Sequence, residues 1–411
     1  MNILFIHGNF PGQFHWLAEQ LGRQGQHDVR FLTARAEAAQ QQMPGVRVEL
    51  YSEPEEGTAS ASLLHHASDQ AITRAAVIET RLVELAQAGF VPRLVVVHGG
   101  NGLALLIKTL IPDCCVIGYF EWYFQPDSAG VLLGQEDRLS RSQVQLRNLV
   151  ISQELLHCDR AVVPTAWQAS QFPAPLRRQL TVIFDGVERQ LFQPPADQAR
   201  GWPLQLQGEA GGLQLQQGQQ LLSYATRGME PLRGFPEFLR ALPVVLEAEP
   251  ELQVLIAGRD RSAYGMPAPS HGGSWKQRLL DELGDFAGRE RLHWCGLLPR
   301  GNYRQLLQRT NLHCYFSRPY VTSWSLFEAV ACAAPLLTNP GDTTTGVLPG
   351  VVLQQVELEA GPKALAAAMV SGLRHSQPTG VPPEWLWREQ SQQQWQALIN
   401  GALKGEPIVQ A

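Results

Sequence analysis

Short apolar runs of strand length alternate with longer segments whose apolar residues recur at helical spacing. Residues 2–7 form the first run. The turn Gly8-Asn9-Phe10-Pro11-Gly12 follows, then a predicted helix over 13–23. Strands are predicted at 28–33 and 46–51, and a long helix at 60–88. Leu94-Val95-Val96-Val97 is wholly apolar, as a parallel strand covered on both faces requires. A helix at 103–110, a strand at 115–120, a helix at 138–156 and strands at 161–164 and 181–184 continue the series. Strand, glycine-bearing turn, helix is how doubly wound α/β domains begin.

The alternation stops between Pro194 and Gln220, where Gln, Gly and Pro dominate without a clear period. This stretch reads as a linker or surface insertion. A second α/β series follows: strands at 221–224, 253–257, 292–295 and 312–316, with helices at 236–247, 275–283 and 303–308 between them. A helix over 326–334, a strand over 335–338 and late helices at 359–372 and 384–403 complete it. The expected organisation is a first domain over 1–195, a linker over 196–220, a second domain over 221–375, and a C-terminal helical segment over 376–411 packing back on the first domain. Two doubly wound halves of this kind face each other across a cleft at their strand C-termini, where ligands bind.

Composition narrows the class. A chain of 411 residues exceeds one ordinary core. With 44% hydrophobic and 17% charged residues it is globular, and a net charge of −5 gives no general attraction for nucleic acid. None of the six cysteines forms a C-x-x-C pair, which suits reduced thiols in a cytoplasm. The first apolar run lacks a preceding basic region and is too short for a signal peptide. No apolar segment approaches membrane-spanning length. Arg141, Arg147, Arg177 and Arg178 are either solvated or a patch for peripheral contact with the inner membrane face.

Chemistry concentrates on loops after predicted strands. Arg227 and Arg233 share one such loop; forked guanidinium bonds clamp phosphates, while exposed arginines otherwise make weak ion pairs. Gly258 lets a ligand approach the backbone, and Leu298 borders the same region. Glu328 is placed in the first turn of a helix, where it either complements the macrodipole or receives ribose hydroxyls. The amides around Ser323-Trp324-Ser325 would then hold a diphosphate. In the first half, Gly12, His98 and Glu121 follow strands. His98 reads as a structural hydrogen-bonder or a ligand contact, and Glu121 as core packing or a sugar-hydroxyl ligand. No Walker A, G-x-S-x-G, zinc or full G-x-G-x-x-G pattern is present where its chemistry requires one.

Pro11-Gly12, Val182–Phe192 (VIFDGVERQLF), the Arg227/Arg233 loop and Ser323–Thr338 (SWSLFEAVACAAPLLT) occur in the order found in one family, and the phrases TRGMEPLRGFPEF and GYFEWYF suggest a bacterial subgroup of it. The chain resembles retaining GT-B glycosyltransferases of family 4 over nearly its full length. The resemblance implies a nucleotide-diphosphate sugar donor and transfer to a saccharide, lipid or other hydroxyl acceptor with retention, in cell-surface polysaccharide or glycolipid synthesis, and without a metal. It implies that Glu328 holds ribose hydroxyls, that Arg227 and Arg233 neutralise the diphosphate, that Gly12 lies near the β-phosphate, and that Gly258 and Leu298 border the nucleotide. The pattern departs in places. Tyr320 stands where the family's E-x7-E motif has its first glutamate, Arg233 replaces a lysine, Ser323 a glycine and Asp185 an asparagine. His98, Glu121 and Tyr320 are therefore candidates for donor or acceptor contacts. Two alternatives are a protein that binds nucleotide sugars without transfer and a nucleotide-sugar epimerase.

Overall fold

The computed structural model describes residues 1–53, 66–197 and 200–406. The chain divides into two compact units: one of Met1–Asp127, Asp137–Asp185 and the stretch from Ser391, the other of Ser128–Glu136 and Gly186–Gln390. The division thus falls after Asp185 rather than at 195, and residues 128–136 belong with the second unit.

The first unit is built on β1 (Asn2–His7), β2 (Asp28–Thr33), β3 (Val46–Leu50), β4 (Leu94–His98), β5 (Cys115–Tyr119), β6 (Arg160–Val163) and β7 (Leu180–Val182). All pair in parallel, in the order β3-β2-β1-β4-β5-β6-β7. The order reverses between β1 and β4, and in open α/β sheets ligands bind at such a reversal, beyond the strand C-termini. β4 is buried along its whole length. The helix Arg388–Leu403 lays Trp395 and Ile399 against Ile3, Phe5 and Phe14.

Two helices differ from expectation in this unit, and the start of a third, 60–65, lies outside the described residues; that helix is His66–Gln87. The helix expected over 103–110 is reduced to Ile107–Leu110. The Glu154 carboxylate takes the N–H groups of Gly100 and Ala104 (the latter at 2.7 Å) and holds this stretch in turns. The helix expected over 138–156 is split into Arg138–Leu146 and Asn148–His157. Asn148 turns its side chain to the backbone of Phe124, bonding its N–H and its carbonyl at 2.8 Å each.

The second unit begins with a correction. Residues 204–215, expected to be linker, form an antiparallel hairpin of β8 (Leu204–Gln207) and β9 (Gly212–Leu215). Leu204, Leu206, Leu213 and Leu215 alternate with outward polar residues and pack on Leu255, Ala257 and Leu306. The glutamines that obscure the period are the solvent face of an amphipathic ribbon. Two buried arginines tie the same region down. Arg200 donates to the carbonyls of Leu307, Gln308, Cys332 and Ala333, the last residues of two helices and their caps. Arg309 donates to those of Trp202 and Gln219.

The main sheet consists of β10 (Leu221–Gly228), β11 (Gln253–Arg259), β12 (Leu292–Gly296), β13 (Leu312–Tyr315), β14 (Leu336–Thr338) and β15 (Gln354–Gln355). Its order is β12-β11-β10-β13-β14-β15, again parallel, with the reversal between β10 and β13. Among the described residues no helix is long and apolar enough to cross a membrane.

Candidate functional site

In the second unit, the end of β10 and the loops after β10 and β13 bring Arg227, Arg233 and Tyr320 together around a residue not singled out in the sequence, Tyr264. Arg233 Nη1 donates to Ser317 Oγ at 2.7 Å and Nη2 to the Val321 carbonyl at 3.1 Å, so the side chain bridges the strand-order reversal. Arg227 Nη1 donates to the Tyr264 hydroxyl at 3.2 Å. The two guanidinium carbons lie 5.8 Å (Arg227) and 5.6 Å (Arg233) from the Tyr264 ring centre, and the Tyr320 ring lies 5.7 Å from it. Among the described residues neither arginine has a carboxylate partner. Arg233 is only 6% exposed, and a desolvated cation without an anion is held at a cost of several kcal/mol, of order, unless a ligand supplies the charge.

The surroundings fix this geometry. Glu230 Oε2 accepts the N–H groups of Ala263, Tyr264 and Gly265 at 3.0, 3.1 and 2.9 Å, which anchors Tyr264. Asn339 bonds both backbone groups of Ser317, accepting its N–H at 2.9 Å and donating to its carbonyl at 3.0 Å. The Tyr224 hydroxyl donates to the Arg233 carbonyl at 2.8 Å.

Glu328 stands in a different setting. The helix is Trp324–Ala331, capped by Ser323, whose Oγ accepts the Ser325 N–H at 3.3 Å. Glu328 is thus in the second turn rather than the first, beyond the reach of the macrodipole explanation. Burial raises its carboxyl to about 7, with the Arg300 charge pulling the other way. No side-chain hydrogen bond satisfies it among the described residues, and none joins it to Arg227 or Arg233. The expected amide cradle is partly occupied from within: Ser323 N–H donates to the Tyr315 hydroxyl at 3.1 Å, and Ser325 N–H to Ser323 Oγ. Trp324 is 45% exposed.

Two expected contacts have structural roles. Gly258 has φ +135°, and a Cβ there would stand 2.3 Å from the Thr226 carbonyl oxygen, so the close pairing of β10 and β11 already requires glycine. Leu298 packs against the hairpin core.

In the first unit, His7 ends β1, His98 ends β4 and Glu121 follows β5, again at the order reversal. The Asn9 N–H donates to His7 Nδ1 at 2.8 Å, so neutral His7 carries its proton on Nε2 and donates to Gln13 Oε1 at 2.6 Å. Gln13 Nε2 donates to Glu121 Oε1 at 2.8 Å, and His98 Nε2 to Glu121 Oε2 at 3.2 Å. Burial, then the charge of His98, hold His7 down at about 3. For Glu121, burial pushes upward, but the His98 bond and charge, the His7 charge and the Gln13 bond outweigh it and keep the carboxyl below its ordinary value. Gln168 Nε2 donates to the Glu121 carbonyl at 2.7 Å and fixes its backbone. Gly12, at φ +54°, lies over His7, where a Cβ would come within 2.6 Å of Nε2. The sequence pointed to His98, Glu121 and Gly12. It gave no sign of His7 or Gln13, although each is a polar residue at the end of a predicted strand or the start of a helix. Among the described residues no group of three or more His, Cys, Asp or Glu side chains is arranged to hold a metal.

Two Rossmann-like parallel-sheet units with site residues at their order reversals define the GT-B fold. Residues 25–192 match the family model described as the glycosyl transferase family 4 group. No curated protein matches the sequence. Among solved structures, the chain is similar to sucrose-phosphate synthase from Thermosynechococcus elongatus, at 17% identity and TM-score 0.61, covering 98% of each chain. It is similar to Anabaena Alr3699/HepE in complex with UDP and glucose, at 14% identity and TM-score 0.64, covering 98% of this chain and 100% of that one. A putative UDP-N-acetylglucosamine 2-epimerase from Listeria monocytogenes also aligns, at 12% identity and TM-score 0.55 over 99% of each chain. At these identities the likeness is one of fold, and one fold hosts many functions.

Proposed function

We propose that this protein is a glycosyltransferase that moves a sugar from a nucleotide-diphosphate donor to an acceptor hydroxyl with retention of anomeric configuration. The observation that carries the reading is the pair Arg227 and Arg233, set at the β10/β13 reversal without an acidic partner among the described residues. Departure of a nucleoside diphosphate develops negative charge, and fixed guanidinium groups stabilise it. Glu328 supplies an unsatisfied carboxylate for ribose hydroxyls. The match of residues 25–192 to a glycosyl transferase group and the UDP and glucose named for Alr3699/HepE favour UDP as the first nucleotide to test. Tyr320 offers an aromatic ring and one hydroxyl in place of a carboxylate, so the sugar is read differently from the E-x7-E pattern.

The epimerase reading has the Listeria likeness in its favour. Calorimetry with UDP, GDP and ADP, followed by a donor-turnover assay, separates the readings. Diphosphate binding with turnover only in the presence of an acceptor is expected. Binding without turnover on any donor leaves a nucleotide-sugar binding protein, and turnover that inverts a sugar stereocentre without an acceptor defeats the transferase.

A further inference from the structure

We propose that Thr343, in the loop after β14, is a positioning residue for Arg233: it fixes the peptide to which the guanidinium makes one of its two bonds. The inference rests on the reading of Arg233 as a diphosphate ligand and goes beyond it by naming what holds that side chain in place.

The loop between β13 and the helix Trp324–Ala331 carries both acceptors of Arg233, Ser317 Oγ and the Val321 carbonyl. Ser317 turns its own O–H to the Arg318 carbonyl at 3.2 Å, which leaves the oxygen lone pairs to the guanidinium. Asn339 closes the Ser317 end of the loop. The middle is held through Arg318, which bonds Glu237 at 2.7 Å and Glu359 at 2.6 Å and whose N–H donates to the Leu232 carbonyl at 2.9 Å. The Val321 end depends on one residue. Thr343 Oγ1 donates to the Tyr320 carbonyl at 2.9 Å, and Thr322 Oγ1 donates to the Thr343 carbonyl at 3.0 Å. Val321 therefore has a bond to Thr343 on the residue before it and another on the residue after it, and its carbonyl is aimed from both sides.

Thr343 and Thr322 are both buried. A hydroxyl in such a place is held at a cost unless its bond is made, and here both bonds go to the groups flanking Val321. Thr344, next in the chain, is used differently: its Oγ1 donates to the Asn339 carbonyl at 2.6 Å and closes the β14 loop on itself. A guanidinium bonded at both Nη atoms cannot swing, and a donor already in place costs no reorganisation when an anion arrives.

The test compares the full chain with Thr343→Val, Thr343→Ser, Thr322→Val, Arg233→Ala and the double variant Arg233→Ala/Thr343→Val. UDP binding is read by calorimetry. The arginine side-chain nitrogens are read by 15N NMR without ligand, the Arg233 signals being those lost in Arg233→Ala. In the wild type the two bonded Nη atoms give separate signals. In Thr343→Val these merge as the guanidinium begins to rotate, and UDP binds about ten-fold more weakly, the worth of one hydrogen bond to a charged group. Thr343→Ser keeps the hydroxyl and behaves as the wild type. A packing role of the methyl group would show the reverse, with Thr343→Val intact and Thr343→Ser impaired. In the Arg233→Ala background Thr343→Val changes UDP affinity by less than about two-fold, because the group it positions is gone. Thr322→Val removes the bond on the other side of Val321, acts in the same direction, and decides the matter if Thr343→Val does not fold. Separate Arg233 signals with wild-type UDP affinity in Thr343→Val, impairment of Thr343→Ser equal to that of Thr343→Val, or additive losses in the double variant overturns the proposal. Failure of the wild type to bind any nucleoside diphosphate defeats the transferase reading instead. The ligand-free spectra then decide the positioning alone: merged Arg233 signals in Thr343→Val uphold it, and separate ones overturn it.

Discussion

Arg233→Ala removes a guanidinium that is 6% exposed and bonded only to Ser317 Oγ and the Val321 carbonyl among the described residues. Two effects on the fold oppose each other. Each charge-assisted hydrogen bond contributes about 1.5–3 kcal/mol. Against that, a desolvated cation without an anionic partner is removed, which relieves a penalty of similar order. The net change in stability is therefore small, about 1 kcal/mol either way, and the melting temperature shifts by roughly 2–4 °C. Function has no such cancellation. Loss of one preorganised donor to a developing anion costs about 10²–10³ in turnover. Arg233→Lys keeps the charge but cannot fork between Ser317 and Val321, and falls between the two. Calorimetry with UDP, turnover with its sugar donors and a thermal melt on the same preparations read all three quantities. An alanine variant with wild-type UDP affinity and turnover refutes the assignment of the arginine pair. A variant that loses activity only because it unfolds refutes the claimed balance of terms.

Other expectations follow from single groups. Because the Glu328 carboxyl is raised to about 7, its ionised form, which accepts ribose hydroxyls, gains population as pH rises from 6 to 8. UDP affinity should rise over that window more steeply in the wild type than in Glu328→Gln, whose remaining slope reports the titration of the terminal UDP phosphate, measured by calorimetry at matched ionic strength. Glu154, also raised to about 7 by burial, binds its proton more tightly folded than unfolded. Its ionisation therefore costs stability as pH rises from about 4.5 through 7, and Glu154→Gln should flatten that part of the melting-temperature profile. Gly258→Ala should destabilise the second unit by about 2 kcal/mol or more, seen as a lowered urea midpoint, because its Cβ meets the Thr226 carbonyl at 2.3 Å. Leu139, Leu149 and Leu156 are 53%, 60% and 58% exposed on two helices joined at Arg147, the first of which also carries Arg138 and Arg141. Co-sedimentation with anionic vesicles that falls on raising salt is expected, and equal binding to neutral vesicles counts against it.

The doubly wound series was legible because strands buried on both faces read as continuous apolar runs, as β4 does. The hairpin of β8 and β9 was not, because its four leucines sit among glutamines and glycines that mimic a linker. The arginine pair was visible as two cations on one loop. Tyr264 was not, since only the three N–H bonds to Glu230, on a loop far away in sequence, bring its ring to them. Glu328 was singled out but assigned to the wrong turn, because Trp324 and Ser325 already belong to the helix once Ser323 caps it. His98 and Glu121 were singly suggestive. Their pairing through His7 and Gln13 depends on strand order, which a linear pattern does not encode.

The central claim is most directly tested by following one reaction by NMR: the full chain with UDP-glucose and a panel of hydroxyl acceptors. The account predicts acceptor-dependent release of UDP and a product glycoside with the donor's anomeric configuration. No UDP release with any acceptor, or an altered sugar stereocentre in the absence of one, would contradict it.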